Sequence, residues 1–230
     1  DGLVTGVQTC ALPILIEYTK LIQRNAERLN SLILELIEFR RIETGNRTAH
    51  IEALSITELA NDIINTFSEN IESKNIKFEH AIPKNLSWNT DKSFLYTVVS
   101  NLLSNALKYT NSYGTIKLNI KVENETLSII ISNTGRGITK ENHDLIFDRY
   151  SILDNFENRD ERTPISRNGL GLAISNNLVK LLGGVIEIES IPDKITSFII
   201  MLPLASLSVN KKTSTILPEI IIRKEYNEFL

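Results

Sequence analysis

The stretch that most constrains this chain runs from residue 91 to residue 110, DKSFLYTVVSNLLSNALKYT. Leu95, Val98, Val99, Leu102, Leu103, Ala106 and Leu107 recur there at helical spacing. A helix that is apolar around so much of its circumference has to be mostly buried, so the fold must supply packing partners for it. Asn101, Asn105 and Lys108 stand at i, i+4 and i+7, which stacks them along one face. Asn is a poor helix former and is costly to bury without a partner. Two of them in register with a Lys therefore ask for a polar ligand. An Asn carbonyl is a hard oxygen donor suited to Mg²⁺, and a Lys ammonium suits a phosphate. A solvated helix face is the alternative for this stretch taken alone.

The chain has 230 residues, enough for one full domain and an appendage. A net charge of −3 gives no sign of a nucleic-acid-binding or membrane-binding surface. No apolar run approaches the roughly 20 residues that span a bilayer. One Cys allows no internal disulfide, which fits a reducing compartment.

Residues 4–14, VTGVQTCALPI, resemble the translation of a common sequencing-library adapter. Residues 1–14 are therefore expected to be non-native and are set aside, Cys10 with them. On that expectation the native gene continued upstream and the chain is a fragment. Residues 15–43 read as a long amphipathic helix. Leu15, Ile22, Leu29 and Leu36 recur every seven residues, with Tyr18, Leu32 and Phe39 three later and Asn25 the polar exception. That is a coiled-coil or bundle seam, which should pack on a second copy of itself. Gly45 ends the helix.

The spacing then predicts a short strand at 50–55, a helix at 57–72, strands at 76–82 and 86–88, and the central helix capped by Asp91. Strands at 115–122 and 126–132 form a hairpin, 170–182 a helix, and 185–190 with 196–202 a last hairpin. This order predicts an α+β two-layer sandwich, one mixed, mostly antiparallel sheet with helices on one face. Residues 206–230 read as a linker with a strand-like piece at 219–223.

Three further features bear on chemistry. The first hairpin runs into Asn133-Thr134-Gly135-Arg136-Gly137-Ile138, where spaced glycines permit close backbone approach to a ligand. Alone, a Gly-rich turn after a strand is often only a turn. Residues 151–168 are mostly polar and charged, and a loop that long inside a domain reads as a lid. It ends at Gly169-Leu170-Gly171-Leu172, which opens a helix whose free N–H groups suit an anion.

Taken together, the polar-edged helix, the strand with its GxG turn, the lid and the glycine helix start resemble the ATP-binding domain of sensor histidine kinases, in the GHKL (Bergerat-fold) superfamily. Asn101-Leu-Leu-Ser-Asn105-Ala-Leu-Lys108-Tyr109-Thr110 is similar to the family's N box. Residues 133–138 are similar to the G1 box, Phe147 to Tyr150 to the F box, and residues 169–172 to the G2 box. Thr196-Ser-Phe198 stands where the last ATP-site Thr and Phe occur. The resemblance covers about residues 15–205, with residues 15–45 similar to the second helix of the dimerisation hairpin and 49–205 to the catalytic domain. The wording IFDRYSILDNFE and RNGLGLAI looks most like hybrid systems of gut Bacteroidetes.

The resemblance implies that Asn105 ligates Mg²⁺ and that Lys108 and Tyr109 contact phosphate or ribose. It implies that Asn133, Gly135, Gly137, Ile138, Gly169, Leu170, Gly171, Leu172 and Thr196 line an ATP site. Asn101 occupies the place where related ATPases carry a Glu that activates water. A neutral amide cannot be that base, so hydrolysis should be slow and the γ-phosphoryl kept for a protein histidine. Three positions depart from the family pattern: Asn133 for the usual Asp, Arg167 for a glycine and Ile195 for a glycine. They leave a catalytically weak ATP-binding scaffold as the alternative. A gyrase- or Hsp90-like ATPase is disfavoured by Asn101. His50, His80 and His143 do not fit the acceptor motif, so the phosphoacceptor hairpin should come from elsewhere. The resemblance further implies a homodimer through residues 15–45, a receiver-domain partner and a cytoplasmic location, with the intact parent anchored in the inner membrane.

Overall fold

The structure is a computed structural model that describes residues 4–148 and 169–204, residues 4–14 through their backbone. The predicted lid at 151–168, Tyr150, Arg167 and the stretch 206–230 lie outside the described residues.

Helix α1 (Val4–Glu43) opens the chain. It extends back through residues 4–14. Its end is a Schellman closure: the Gly45 N–H donates to the Ile42 carbonyl and the Asn46 N–H to that of Arg41, with Gly45 at φ 68°. The seven-residue seam lies open over most of its length, Ile22 being 66% and Leu29 58% exposed. Only its end is docked, where Phe39 is 4% exposed.

β1 (Glu52–Ser55) leads into α2 (Ile56–Ser73), whose first turn is capped by the Ser55 hydroxyl accepting from the Glu58 N–H. Next come β2 (Lys77–Ala81), β3 (Ser87–Thr90) and α3 (Lys92–Tyr109). β4 (Thr115–Glu123) and β5 (Thr126–Thr134) form the first long hairpin, turning through Asn124 and Glu125, both at positive φ. After two short 3₁₀ turns, Lys140–Asn142 and Leu145–Phe147, α4 (Gly171–Leu181) precedes the closing hairpin of β6 (Val185–Ile191) and β7 (Ile195–Pro203).

The main sheet has the order β2-β4-β5-β7-β6, with β2 and β4 parallel and every other pair antiparallel. The expected α+β sandwich with a mixed sheet is what forms. One detail differs: β1 and β3 do not join that sheet but make their own two-stranded ribbon, with Leu54 opposite Trp88. Each strand is four residues long, and α2 starts directly after β1, which pulls the ribbon to the side of α2.

α3 lies at the centre, against α2, α4 and β5. Leu95, Val98, Leu102 and Leu103 have no exposed surface. β5 presents Leu127, Ile129, Ile131 and Asn133 to this helical layer, and β7 answers with Leu202, Ile200, Phe198 and Thr196 in register. The row is apolar until its last pair, Asn133 and Thr196.

Asp91 ties the start of α3 to the chain that leaves α1. One carboxylate oxygen accepts from the Phe94 N–H at 2.9 Å and the Ser93 hydroxyl at 2.9 Å. The other accepts from the His50 N–H at 2.7 Å. Arg47 adds a second tie, its guanidinium carbon 5.0 Å from the Phe94 ring centre and its Nε 2.9 Å from Glu38 of α1. Burial pushes the Asp91 carboxyl up, but the N–H groups of His50 and Phe94 and the Ser93 hydroxyl outweigh it and hold it below its ordinary value. A carboxyl lowered in the fold contributes stability above its unfolded pKa near 4, and that contribution is lost as pH falls through the lowered value. Asp91→Ala should cost about 1–3 kcal/mol at neutral pH, from the lost cap and the orphaned His50 N–H. Urea unfolding of both proteins checks this, and the gap between them should shrink as the pH is taken below about 4.

Candidate functional site

α3 sets the site by having one polar edge. Asn101, Asn105 and Lys108 are each half-buried along it, as their spacing predicts. The Asn101 amide nitrogen donates to the Gly171 carbonyl and the Ser175 hydroxyl, both at 3.3 Å. Ser175 is fully buried and donates to the same Gly171 carbonyl at 2.8 Å. Asn101 therefore clips α3 to the first turn of α4, bringing the polar edge beside that helix's free N–H groups. Asn105 makes no side-chain hydrogen bond among the described residues, so its oxygen is available on that edge. The Lys108 ammonium rests 4.8 Å from the Tyr109 ring centre, a cation–π contact at the C-terminal end of the helix.

The GxG turn comes to the same end of α3. A Cβ at Gly135 would strike the Tyr109 carbonyl oxygen, so the loop passes against the helix end at a distance only glycine allows. Gly137, at φ 71°, lies against the Ile191 carbonyl and leaves no room for a side chain. The loop is stitched to the β6–β7 turn: the Gly135 N–H donates to the Lys194 carbonyl at 3.2 Å and the Asp193 N–H to that of Arg136 at 2.6 Å. The Ile138 N–H donates to the Ser190 hydroxyl at 2.8 Å. Ile138 itself packs on the edge of the core. The left-handed residue of the β6–β7 turn is Asp193 at φ 57°, so Ile195 takes ordinary strand backbone and the missing glycine there distorts nothing.

Asn133 and Thr196 sit opposite each other on β5 and β7, at 5% and 6% exposure. The Asn133 amide nitrogen donates to the Thr134 carbonyl at 3.2 Å, which turns its oxygen away as the free acceptor. Across the site, Gly169 is half-buried at φ 65°, Leu170 is buried, and Leu172 packs against the core. The structure thus gathers Asn101, Asn105, Lys108, Gly171 and Leu172 on one side, and Asn133, Gly135, Gly137, Ile138 and Thr196 on the other.

Two functional neighbours escape a reading by motif, Ser175 and Ser190. Ser190 had a signal: it falls on the inward face of β6 after Ile186 and Ile188, where an apolar residue belongs. A separate cleft of about 540 Å³ opens between α1, the Leu145–Phe147 turn and α4. It is lined by Phe39, Ile42, Phe147 and Lys180 among others and shares none of the residues above.

The donors fit a magnesium nucleotide. A free amide oxygen and an ammonium share one helix edge, a backbone cradle admits no Cβ, and a buried polar pair ends an apolar row. Comparison with known proteins agrees on the nucleotide. Residues 90–206 match the family described as histidine kinase-, DNA gyrase B-, and HSP90-like ATPase. The circadian input-output histidine kinase CikA of Synechococcus elongatus is 30% identical over 190 residues, which is 81% of this chain and 25% of that protein. The aerobic respiration control sensor protein ArcB homolog of Haemophilus influenzae is 32% identical over 168 residues, 72% of this chain and 50% of that protein. The chain thus spans between a quarter and a half of the length of these relatives. Among solved structures, histidine kinase ThkA in complex with response regulator protein TrrA has the same fold, with TM-score 0.65 at 22% identity over 83% of this chain and 52% of that one. The chain belongs to the histidine kinase-, DNA gyrase B- and HSP90-like ATPase family, and within it carries the ATP-binding catalytic domain of a sensor histidine kinase.

Proposed function

We propose that this domain binds Mg²⁺–ATP between the α3 edge and the GxG loop and transfers the γ-phosphoryl group to a histidine on a protein hairpin. The observation that carries the reading is the meeting of the Asn105–Lys108 edge, the Gly135–Gly137 cradle and the α4 N-terminus around one site. Asn105 would hold Mg²⁺, which when bound neutralises phosphate charge. Lys108 would leave its place over Tyr109 to meet phosphate oxygens, and Tyr109 would border the ribose. The N–H groups after Gly169 and Leu170 would receive the phosphate tail, where the helix dipole favours an anion. Asn133 and Thr196 would meet the base, with Ile138 and Leu172 packing on it. Asn101 supplies no base for water, so transfer rests on positioning and charge neutralisation.

Residues 15–45 would be the second helix of a dimerisation hairpin, its open seam closed by a second copy, and residues 49–205 the catalytic domain. The acceptor hairpin and a response-regulator receiver would be the protein partners, as ThkA is seen with TrrA. None of the three histidines lies on α1: His50 is in the connection, His80 on β2, and His143 after the first 3₁₀ turn. A scaffold that binds ATP without transferring it is the second reading, favoured by Asn133 standing where the family has an Asp.

Incubation with labelled ATP should leave this chain unlabelled and label an added acceptor hairpin in an acid-labile, base-stable form. ATP binding with no transfer to any acceptor hairpin would favour the scaffold. Asn105→Ala should abolish the Mg²⁺ dependence of ATP affinity measured by calorimetry. A retained Mg²⁺ dependence would return that edge to a solvated helix face.

A neutral hydrogen bond contributes about 0.5–1.5 kcal/mol and one to a carboxylate roughly 1.5–3. Asn133→Asp should therefore tighten ATP by about five- to tenfold, and Asn133→Ala should weaken it and narrow the preference for ATP over GTP. Titration of both nucleotides against the three proteins decides whether Asn133 touches the base.

A further inference from the structure

Three adjacent strands place three polar side chains in one row. Asn133 on β5 is opposite Thr196 on β7, and Thr196 is opposite Ser190 on β6. The Ser190 hydroxyl has three partners: the Ile138 N–H at 2.8 Å, the Ile195 carbonyl at 2.9 Å and the Thr196 hydroxyl at 2.9 Å.

A hydroxyl has one proton and two lone pairs. The Ile195 carbonyl can only accept, so the Ser190 proton goes to it. The Ile138 N–H can only donate and fills one lone pair. The remaining contact closes only if Thr196 donates its proton to the second lone pair. Thr196 Oγ1 is then left with lone pairs alone and presents an acceptor. Beside it Asn133 also presents an acceptor, since its amide nitrogen is committed to the Thr134 carbonyl.

We infer that Ser190 is a specificity-determining positioning residue, which holds Thr196 as a hydrogen-bond acceptor beside the Asn133 oxygen so that the pair selects a purine bearing a 6-amino group. This rests on the nucleotide reading above and deepens it. An amino group offers two N–H donors to two acceptors. A base without one leaves both buried acceptors unpaired, the asymmetry that gives a polar site its discrimination. The same hydroxyl fixes the GxG loop through Ile138, so loop position and base choice share one atom.

The test is calorimetric titration with ATP and with purine riboside triphosphate, which differs from ATP only in lacking the 6-amino group, both with Mg²⁺. Wild type should favour ATP by about tenfold or more, from neutral hydrogen bonds contributing roughly two- to tenfold each. Ser190→Ala frees the Thr196 proton to rotate into the site, and the preference should fall to about threefold or less. Ser190→Thr restores the hydroxyl and should restore the preference. A merely structural role would weaken both nucleotides equally and leave their ratio unchanged, which overturns the inference. Should Ser190→Ala fail to fold, Thr196→Val removes the acceptor while leaving Ser190 bonded to Ile138. It should lower the preference likewise, and full discrimination in that variant overturns the inference. Wild type that binds both nucleotides equally well defeats this inference and leaves the nucleotide site standing. Wild type that binds neither defeats the nucleotide reading itself.

Discussion

The structure depends on the burial of α3. Eight of its residues are buried against α2, α4 and the sheet. Full burial of a Leu or Val is worth about 1.5–3 kcal/mol each, so the helix has a single acceptable rotation about its axis. Any other rotation would drive Asn101, Asn105 and Lys108 into the apolar layer. The polar edge therefore points where it does because of the core behind it, and the site's location is set by packing before any ligand is considered.

The far wall of the site is held by different means. The GxG loop has almost no apolar anchor besides Ile138, and its glycines are there because backbone passes too close for side chains. Its position comes from hydrogen bonds to the β6–β7 turn through Gly135 and Arg136 and to β6 itself through Ile138. One wall is thus set by non-directional burial and the other by directional bonds. Substitutions on the two sides should have different signatures: loss of stability behind α3, altered ligand geometry along the loop.

Legibility in the sequence divides the same way. The α3 helix, both long hairpins and the sandwich were readable because each carries a sustained period and a named cap or turn. The Asp91 cap and the Glu123–Asn124–Glu125 turn were in place. The β1–β3 ribbon was not readable as separate from the sheet, since four-residue strands carry too little pattern to name a partner. The Asn101–Gly171 bond joins residues 70 apart in sequence and has no local signal. Ile195 departed from the expected glycine, but the turn had already moved its left-handed position to Asp193. Ser190 could have been noticed as a polar residue on an inward strand position, a signal easily passed over in a search for glycines and charges.

The clip between Asn101 and α4 also bears on how such a domain could drift toward another chemistry. The residue donates through its amide nitrogen to a carbonyl that Ser175 already serves. A Glu there would set carboxylate oxygens against the Gly171 carbonyl with no proton to share, and the Ser175 hydroxyl is committed. Repulsion at the mouth of α4 would loosen the helix start that borders the site. Gaining a base for water at this position would thus undo part of the architecture that makes the base useful. On this geometry a Glu at position 101 would call for the first turn of α4 to be refitted around it.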